Sequence, residues 1–261
     1  MKEKQMKRFM GALILVAMLV VPTVCFAEGN QVGVYVVPKF IYGLTQTSGV
    51  KVHERYEHTR SPYAFNIGSN TDSTFGGSIA LGYDFSKKFS VPIRTEIEYA
   101  AFSKADKGKN FTVIGNTPDN ITYEKWSQSY QIQTLFLNAY WDIDTGTKFT
   151  PYVGAGLGMG FIGTKVGAKG DTYDAGVLQE SWDLKIGSRT VTNFAWNVSA
   201  GLGYDITDHW TIDAGYRFVG LGSVKTGTYT EPSGSGGTLS VHGKTDNLFQ
   251  HQFSIGARYT F

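Results

Sequence analysis

The stretch FTPYVGAGLGMGF, Phe149 to Phe161, decides the fold. Phe149, Val153, Ala155, Leu157, Met159 and Phe161 alternate with Thr150, Tyr152, Gly154, Gly156, Gly158 and Gly160. Strict period-two alternation marks a β-strand with two unlike faces. From Gly154 to Gly160 the less apolar face carries no side chain larger than hydrogen. A water-facing strand would show Lys, Glu and Thr there, so a face of glycines points into a crowded interior. The apolar face is then the outer one and meets lipid.

Seven further segments share the pattern. Downstream, Phe194 to Tyr204, Trp210 to Phe218 and Phe253 to Phe261 alternate without a break. Upstream lie Val32 to Leu44, Phe75 to Phe85, Val91 to Ala101 and Leu135 to Ile143. The connections alternate in length. Ser86-Lys87-Lys88, Asp144 to Lys148 and Thr207-Asp208-His209 are tight turns. Residues 45–73, 105–127, 166–191 and 225–246 are long polar stretches. An even strand count with short turns at one end and long loops at the other predicts an all-β, eight-stranded, transmembrane antiparallel up-and-down barrel. Its four long loops are extracellular and both termini periplasmic. Outward aromatics gather near strand ends and predict a girdle at each interface. Phe85, Trp141, Phe149, Tyr204, Trp210 and Phe261 form one. Tyr42, Tyr99, Phe161, Phe194, Trp196 and Phe218 form the other.

Composition fits. Of 261 residues, 14% are aromatic and 18% charged, with 32 glycines and 7 prolines, too aromatic for a disordered chain. After residue 27 no apolar run reaches the ~20 residues a membrane helix needs. Residues 1–27 read as a cleaved signal peptide: Lys2, Lys4, Lys7 and Arg8, an apolar run from Phe9 to Val21, then Cys25-Phe26-Ala27 before the cut. The domains are thus the signal, 1–27, and the barrel, 28–261. Removing Lys2, Lys4, Lys7, Arg8 and Glu3 from 24 basic and 22 acidic residues leaves a mature chain near −1. No basic patch then argues for nucleic acid. The one cysteine leaves with the signal, and with it thiol chemistry.

The Gly-alternating strand resembles that of opacity-protein-like and OmpA-like outer-membrane β-barrels. The chain end, Ser254-Ile255-Gly256-Ala257-Arg258-Tyr259-Thr260-Phe261, is similar to the assembly signal of that class, with Gly256, Tyr259 and Phe261 as its key positions. The resemblance spans residues 28 to 261. It implies a Gram-negative outer membrane, contact with its lipid and lipopolysaccharide, insertion by the barrel-assembly machinery, and loops that meet a host or environmental ligand. Fold analogy alone does not establish an activity.

Chemistry-bearing motifs are sparse. Gly158-Met159-Gly160-Phe161-Ile162-Gly163 matches the spacing of a dinucleotide loop, but no helix follows to offer its N-terminus to phosphate. The glycines instead make room for long inward side chains. Lys39, Arg94, Glu96, Glu98, Asp213, Arg217 and Arg258 fall on the inward face. Unpaired charges in a narrow lumen are costly, so they are expected to form a salt-bridge network that plugs the barrel. A gate along a narrow ion path is the alternative use. A wide pore is excluded at eight strands. His209 lies beside Asp208 at the periplasmic end, His251 faces lipid, and His53, His58 and His242 lie in loops. None has a nucleophile or metal partner at a working spacing. No cofactor, metal or catalytic site is expected. Thr122 to Trp126 and Glu180 to Trp182 bring exposed aromatics to the loops, for ligand contact or for packing between loops. Phe111 to Gly115 and Ile121 to Trp126 read as a hairpin above the membrane. The expectation is a non-enzymatic envelope or adhesion-type surface protein, with a low-conductance channel as the alternative.

Overall fold

A computed structural model describes residues 33–56, 63–114, 119–225, 229–232 and 238–261. Residues 1–32 (which include the expected signal segment), residues 115–118 and His58 lie outside these. So do the side chains of His53, Trp126 and His242. Twelve strands follow in order: β1 (Val34–Tyr56), β2 (Tyr63–Asp84), β3 (Ile93–Phe102), β4 (Ala105–Ile114), β5 (Asn120–Asp142), β6 (Phe149–Asp174), β7 (Val177–Asp205), β8 (Trp210–Gly220), β9 (Val224–Lys225), β10 (Tyr229–Pro232), β11 (Thr238–Thr245) and β12 (Asn247–Thr260). Eight form the barrel. Antiparallel pairing runs β1-β12-β8-β7-β6-β5-β3-β2 and closes through β1–β2. Closure removes every edge within the lipid band, where an unpaired backbone group has no water to turn to. The remaining four strands are annexes beyond the band: β4 pairs with β5, β11 with β1, and β9 and β10 with β11.

The faces are inverted relative to a soluble sheet. Leu157 is 61% exposed and Phe194 66%, while Glu98 is 0% and Arg94 2%. Phe40, Leu81, Ile97, Leu137, Val153, Val198 and Ile255 also stand outward. The first short connection is a single helical turn, α1 (Ser86–Phe89), stopped by Ser90 at φ 55°. Asp84 Oδ1 accepts hydrogen bonds from the Ser86 backbone N–H at 2.9 Å and its hydroxyl at 2.6 Å.

The stretches expected to be loops are largely strand. β6 has 26 residues and β7 29, paired from Phe149↔Tyr204 up to Asp174↔Val177. A membrane strand needs only ~9–11 residues. Some 15 residues of each therefore rise above the lipid, roughly 50 Å along the strand at ~3.3 Å per residue. Ala175 (φ 47°) and Gly176 (φ 77°) close this hairpin with the positive φ pair of a tight hairpin turn. β4 and β5 form the hairpin expected near Phe111 and Trp126, from Ala105↔Tyr130 to Ile114↔Ile121. Above the band no lipid selects apolar residues on one face, so alternation fades while pairing continues. The β6–β7 extension was therefore hidden in sequence that reads as loop.

Candidate functional site

The lumen is built in layers along the barrel axis. Glu98, on β3, is the hub of the middle layer. Arg217, across the lumen on β8, donates Nη1 to Glu98 Oε1 and Nη2 to Oε2, both at 2.8 Å. Lys39 Nζ donates to Glu98 Oε2 at 2.7 Å and to Glu96 Oε2 at 3.0 Å. Tyr35 Oη completes Glu96 by donating to Oε1 at 3.1 Å. Lys39 reaches both carboxylates because its stem passes Gly256; a Cβ there would sit 2.8 Å from Lys39 Cγ and from the Pro38 carbonyl oxygen.

Nearer the periplasm lies Arg94. Its Nε donates to Asp142 Oδ2, and Glu96 Oε1 lies 3.9 Å from its Nη1. Its guanidinium stands 5.3 and 5.1 Å from the ring centres of Tyr140 and Tyr152, a cation–π contact with each of two rings that themselves meet edge to face at 5.4 Å. Arg258 and Asp213 approach to 3.4 Å as an ion pair without hydrogen-bond geometry, and Arg258 also lies 5.6 Å from the Tyr35 ring centre. The seven inward charges named from the sequence are thus all buried and lie in two adjoining groups. Asp142 brings the acids to four against four bases. Sequence reasoning passed over Asp142 and Tyr140, and it put Tyr35 and Tyr152 on the inward face without giving them a part in the network.

The glycine run has a steric role toward other neighbours than the charges. A side chain at Gly154 would enter the Tyr140 ring, one at Gly156 the Asn138–Asn197 amide pair, one at Gly158 Phe136, and one at Gly160 Leu221. Those amides are themselves joined, Asn197 Nδ2 donating to Asn138 Oδ1 at 2.9 Å.

Above the charges an apolar cluster packs beside a file of buried polar side chains, with Gln252 Nε2 donating to Gln250 Oε1 at 2.8 Å and Gln250 Nε2 to Thr45 Oγ1 at 3.1 Å. Ile41, Phe136, Ile132, Ile162, Leu221 and Leu248 pack with Ala100, Phe102 and Val219 into one buried cluster. The sequence reading missed this layer. Outward Leu135 and Leu137 leave Phe136 inward by parity, but alternation does not show which inward apolar residues gather into one layer. Lumen traffic would have to cross both a neutralised charge layer and this buried cluster with its amide file.

The crown of hairpins carries the exposed polar and aromatic surface. A cleft of about 690 Å³ opens where β4, β5, β6 and β7 lie side by side, lined in part by Asn110, Tyr123, Lys169, Asp171 and Trp182. Trp182 lies over Gly170, and Tyr123 meets Tyr173 edge to face at 5.9 Å. Of the histidines, His209 Nδ1 is 2.9 Å from the Thr260 carbonyl oxygen and His251 Nδ1 2.8 Å from Tyr216 Oη. The C-terminus closes the barrel: Phe261 N–H donates to the Val34 carbonyl at 2.9 Å, and Tyr259 packs between Trp210 and Phe261.

A closed eight-stranded barrel, apolar without and charged within, defines an integral protein of the Gram-negative outer membrane. A family described as "Outer membrane protein beta-barrel domain" matches residues 13–261, and the chain belongs to that family, with opacity-like proteins among its relatives. It is 26% identical over 258 residues to outer membrane protein PagN of Salmonella typhimurium, covering 98% of this chain and 100% of that one. Opacity protein opA66 of Neisseria gonorrhoeae is 27% identical over 207 residues, 70% of this chain and 77% of that one. Among solved structures, Neisserial surface protein A has 18% identity and a TM-score of 0.44, over 90% of this chain and 100% of that chain.

Proposed function

We propose that this protein is a non-enzymatic surface protein whose barrel is a sealed anchor and whose hairpin crown meets ligands outside the cell, an adhesion-type role that also braces the envelope. The observation that carries this reading is the pairing of β6 with β7 far beyond the lipid band, above a lumen filled by charge pairs and an apolar plug. Strand pairing holds Tyr123 and Trp182 in fixed places, and ordered aromatics contribute contact area at low entropic cost. Cleavage after Ala27 and recognition of Gly256, Tyr259 and Phe261 by the barrel-assembly machinery belong to the same reading. A low-conductance channel is the competing use, and the plug weighs against it.

The test compares cells displaying the intact protein with cells in which residues 167–185 are replaced by a two-residue turn. Attachment to epithelial monolayers should fall at least tenfold at equal surface levels. In planar bilayers the intact protein should show no resolved single-channel steps. Undiminished attachment together with clear channel steps would transfer the function to the lumen.

A further inference from the structure

We propose that the crown cleft of about 690 Å³ binds the terminal sialic acid of a glycan on another cell, a sugar with a carboxylate, an acetamido group and a polyhydroxyl tail. This ligand rests on the adhesion reading above and names what the crown holds. Cross-strand register sets the cleft's side chains in a lattice. Asn110, Lys125, Lys169 and Asp183 stand in one row across β4, β5, β6 and β7, and Tyr123, Asp171 and Ser181 follow in the next. All seven are exposed and line the cleft. Trp182, between Ser181 and Asp183, turns to the opposite side of the sheet and lies over Gly170, holding β7 against β6 from behind. The lattice is therefore rigid before any ligand arrives, which lowers the entropic cost of binding. Lys169 lies eight residues beyond Phe161, roughly 25 Å along β6 at ~3.3 Å per residue, so the cleft stands clear of the lipid headgroups.

The independent sign of a ligand is the pair Lys125 and Lys169, which stand directly opposite each other. Like charges in that position destabilise a sheet. No contact offsets the repulsion: among the described residues neither lysine is in an ion pair. Asp183 lies across from Lys169 without pairing to it, and Asp171 Oδ1 is taken by the Ser181 hydroxyl at 2.6 Å. A carboxylate seated between the two ammonium groups would accept from both, one through each oxygen. The rest of the lattice narrows the class of anion. Asp171 and Asp183 would repel a polysulfated chain, whereas carboxylate oxygens accept hydrogen bonds from the hydroxyls of a sugar tail. The Tyr123 ring is 52% exposed and is held edge to face by Tyr173, so it offers an apolar surface to an acetamido methyl group. Asn110, beyond Lys125, adds an amide donor and acceptor. One negative charge at one end and hydroxyl donors at the other are what this division of cations and acids accommodates.

The full-length mature protein, folded in detergent, is captured on a sensor and exposed to a polyacrylamide carrier bearing sialyllactose. The same carrier bearing lactose, glucuronic acid or sulfated lactose serves for comparison. The sialylated carrier should be retained at least tenfold more than any of the others. Lys125→Gln/Lys169→Gln and Tyr123→Ala should each reduce it to the lactose level, and Lys125→Arg/Lys169→Arg should keep most of it. Lys104→Gln/Lys165→Gln, which removes two charges outside the cleft, should leave retention unchanged. Heat-dependent gel mobility confirms that each variant is folded. Equal retention by native protein and the Lys125→Gln/Lys169→Gln variant, or an equal loss in Lys104→Gln/Lys165→Gln, overturns the site. Retention of the glucuronic acid or sulfated carrier at the sialylated level overturns the sialic acid assignment. On epithelial monolayers, sialidase should lower attachment as far as replacing residues 167–185 does. Attachment that survives sialidase but not that replacement removes this ligand and leaves the adhesion reading standing.

Discussion

Glu98→Ala removes the one carboxylate that holds Arg217 in the lumen. Lys39 keeps Glu96 at 3.0 Å, so the loss falls on the guanidinium, which gives up two bonds of 2.8 Å while 7% exposed. Breaking a buried pair by deleting one partner costs ~3–5 kcal/mol, chiefly because the other charge is stranded. With ~1.4 kcal/mol per tenfold, the unfolding equilibrium should shift by ~10²–10³ or more. Urea unfolding in phosphatidylcholine vesicles, followed by tryptophan fluorescence and gel mobility, reads this directly. Glu98→Gln keeps the size and one acceptor and should lose about half as much. Glu98→Ala/Arg217→Ala strands no charge, so the two single losses should exceed the double loss by ~2 kcal/mol or more, within the range of directly contacting residues. Conductance should remain low in all three, because the apolar cluster above is untouched. A Glu98→Ala protein within ~0.5 kcal/mol of native, or strictly additive single losses, would refute the idea that this pair is buried and coupled.

Opening the barrel should instead require the plug: Phe136→Ala/Leu221→Ala is expected to raise single-channel conductance in planar bilayers while leaving the charge layer in place. Leu157→Arg and Val198→Arg put charge into the lipid band and should each cost ~2–4 kcal/mol by vesicle unfolding, against little for inward Ser199→Ala. Gly154→Val drives methyls into the Tyr140 ring and should destabilise by ~1–3 kcal/mol, as overpacking does. Deleting Phe261 removes the N–H donated to Val34, and surface labelling should find the chain retained in the periplasm and open to protease.

Period-two alternation was legible wherever lipid imposed it. The outward Phe149 to Phe161 series, the inward Lys39, Glu98 and Arg217, and the strand count all follow from that one constraint. What stayed hidden lay where another constraint ruled. Inside the upper lumen packing selects Phe136, between outward Leu135 and Leu137, and Ile132, between Gln131 and Gln133, so apolar side chains occupy both faces and the alternation blurs. Asp142 sits at a strand end beside a turn, where an acid reads as ordinary solvent-facing polarity. Above the membrane, Lys165 to Tyr173 stays paired on both sides, yet charges, glycines and threonine are spread over both faces, so neither face is marked. Parity locates a side chain on a face, whereas its partner across the lumen depends on register and tilt that alternation does not encode.

The continuity of β6 and β7 from periplasmic turn to crown has a mechanical consequence. A force applied at the Ala175–Gly176 tip and directed away from the cell runs parallel to both strands. It meets their flanking ladders, β5 on one side and β8 on the other, in shear, so many backbone hydrogen bonds share the load before any one gives way. Had the crown been joined to the barrel by flexible loops, the same pull would have peeled contacts in sequence. As built, the hairpin transmits tension from its tip straight into the barrel wall.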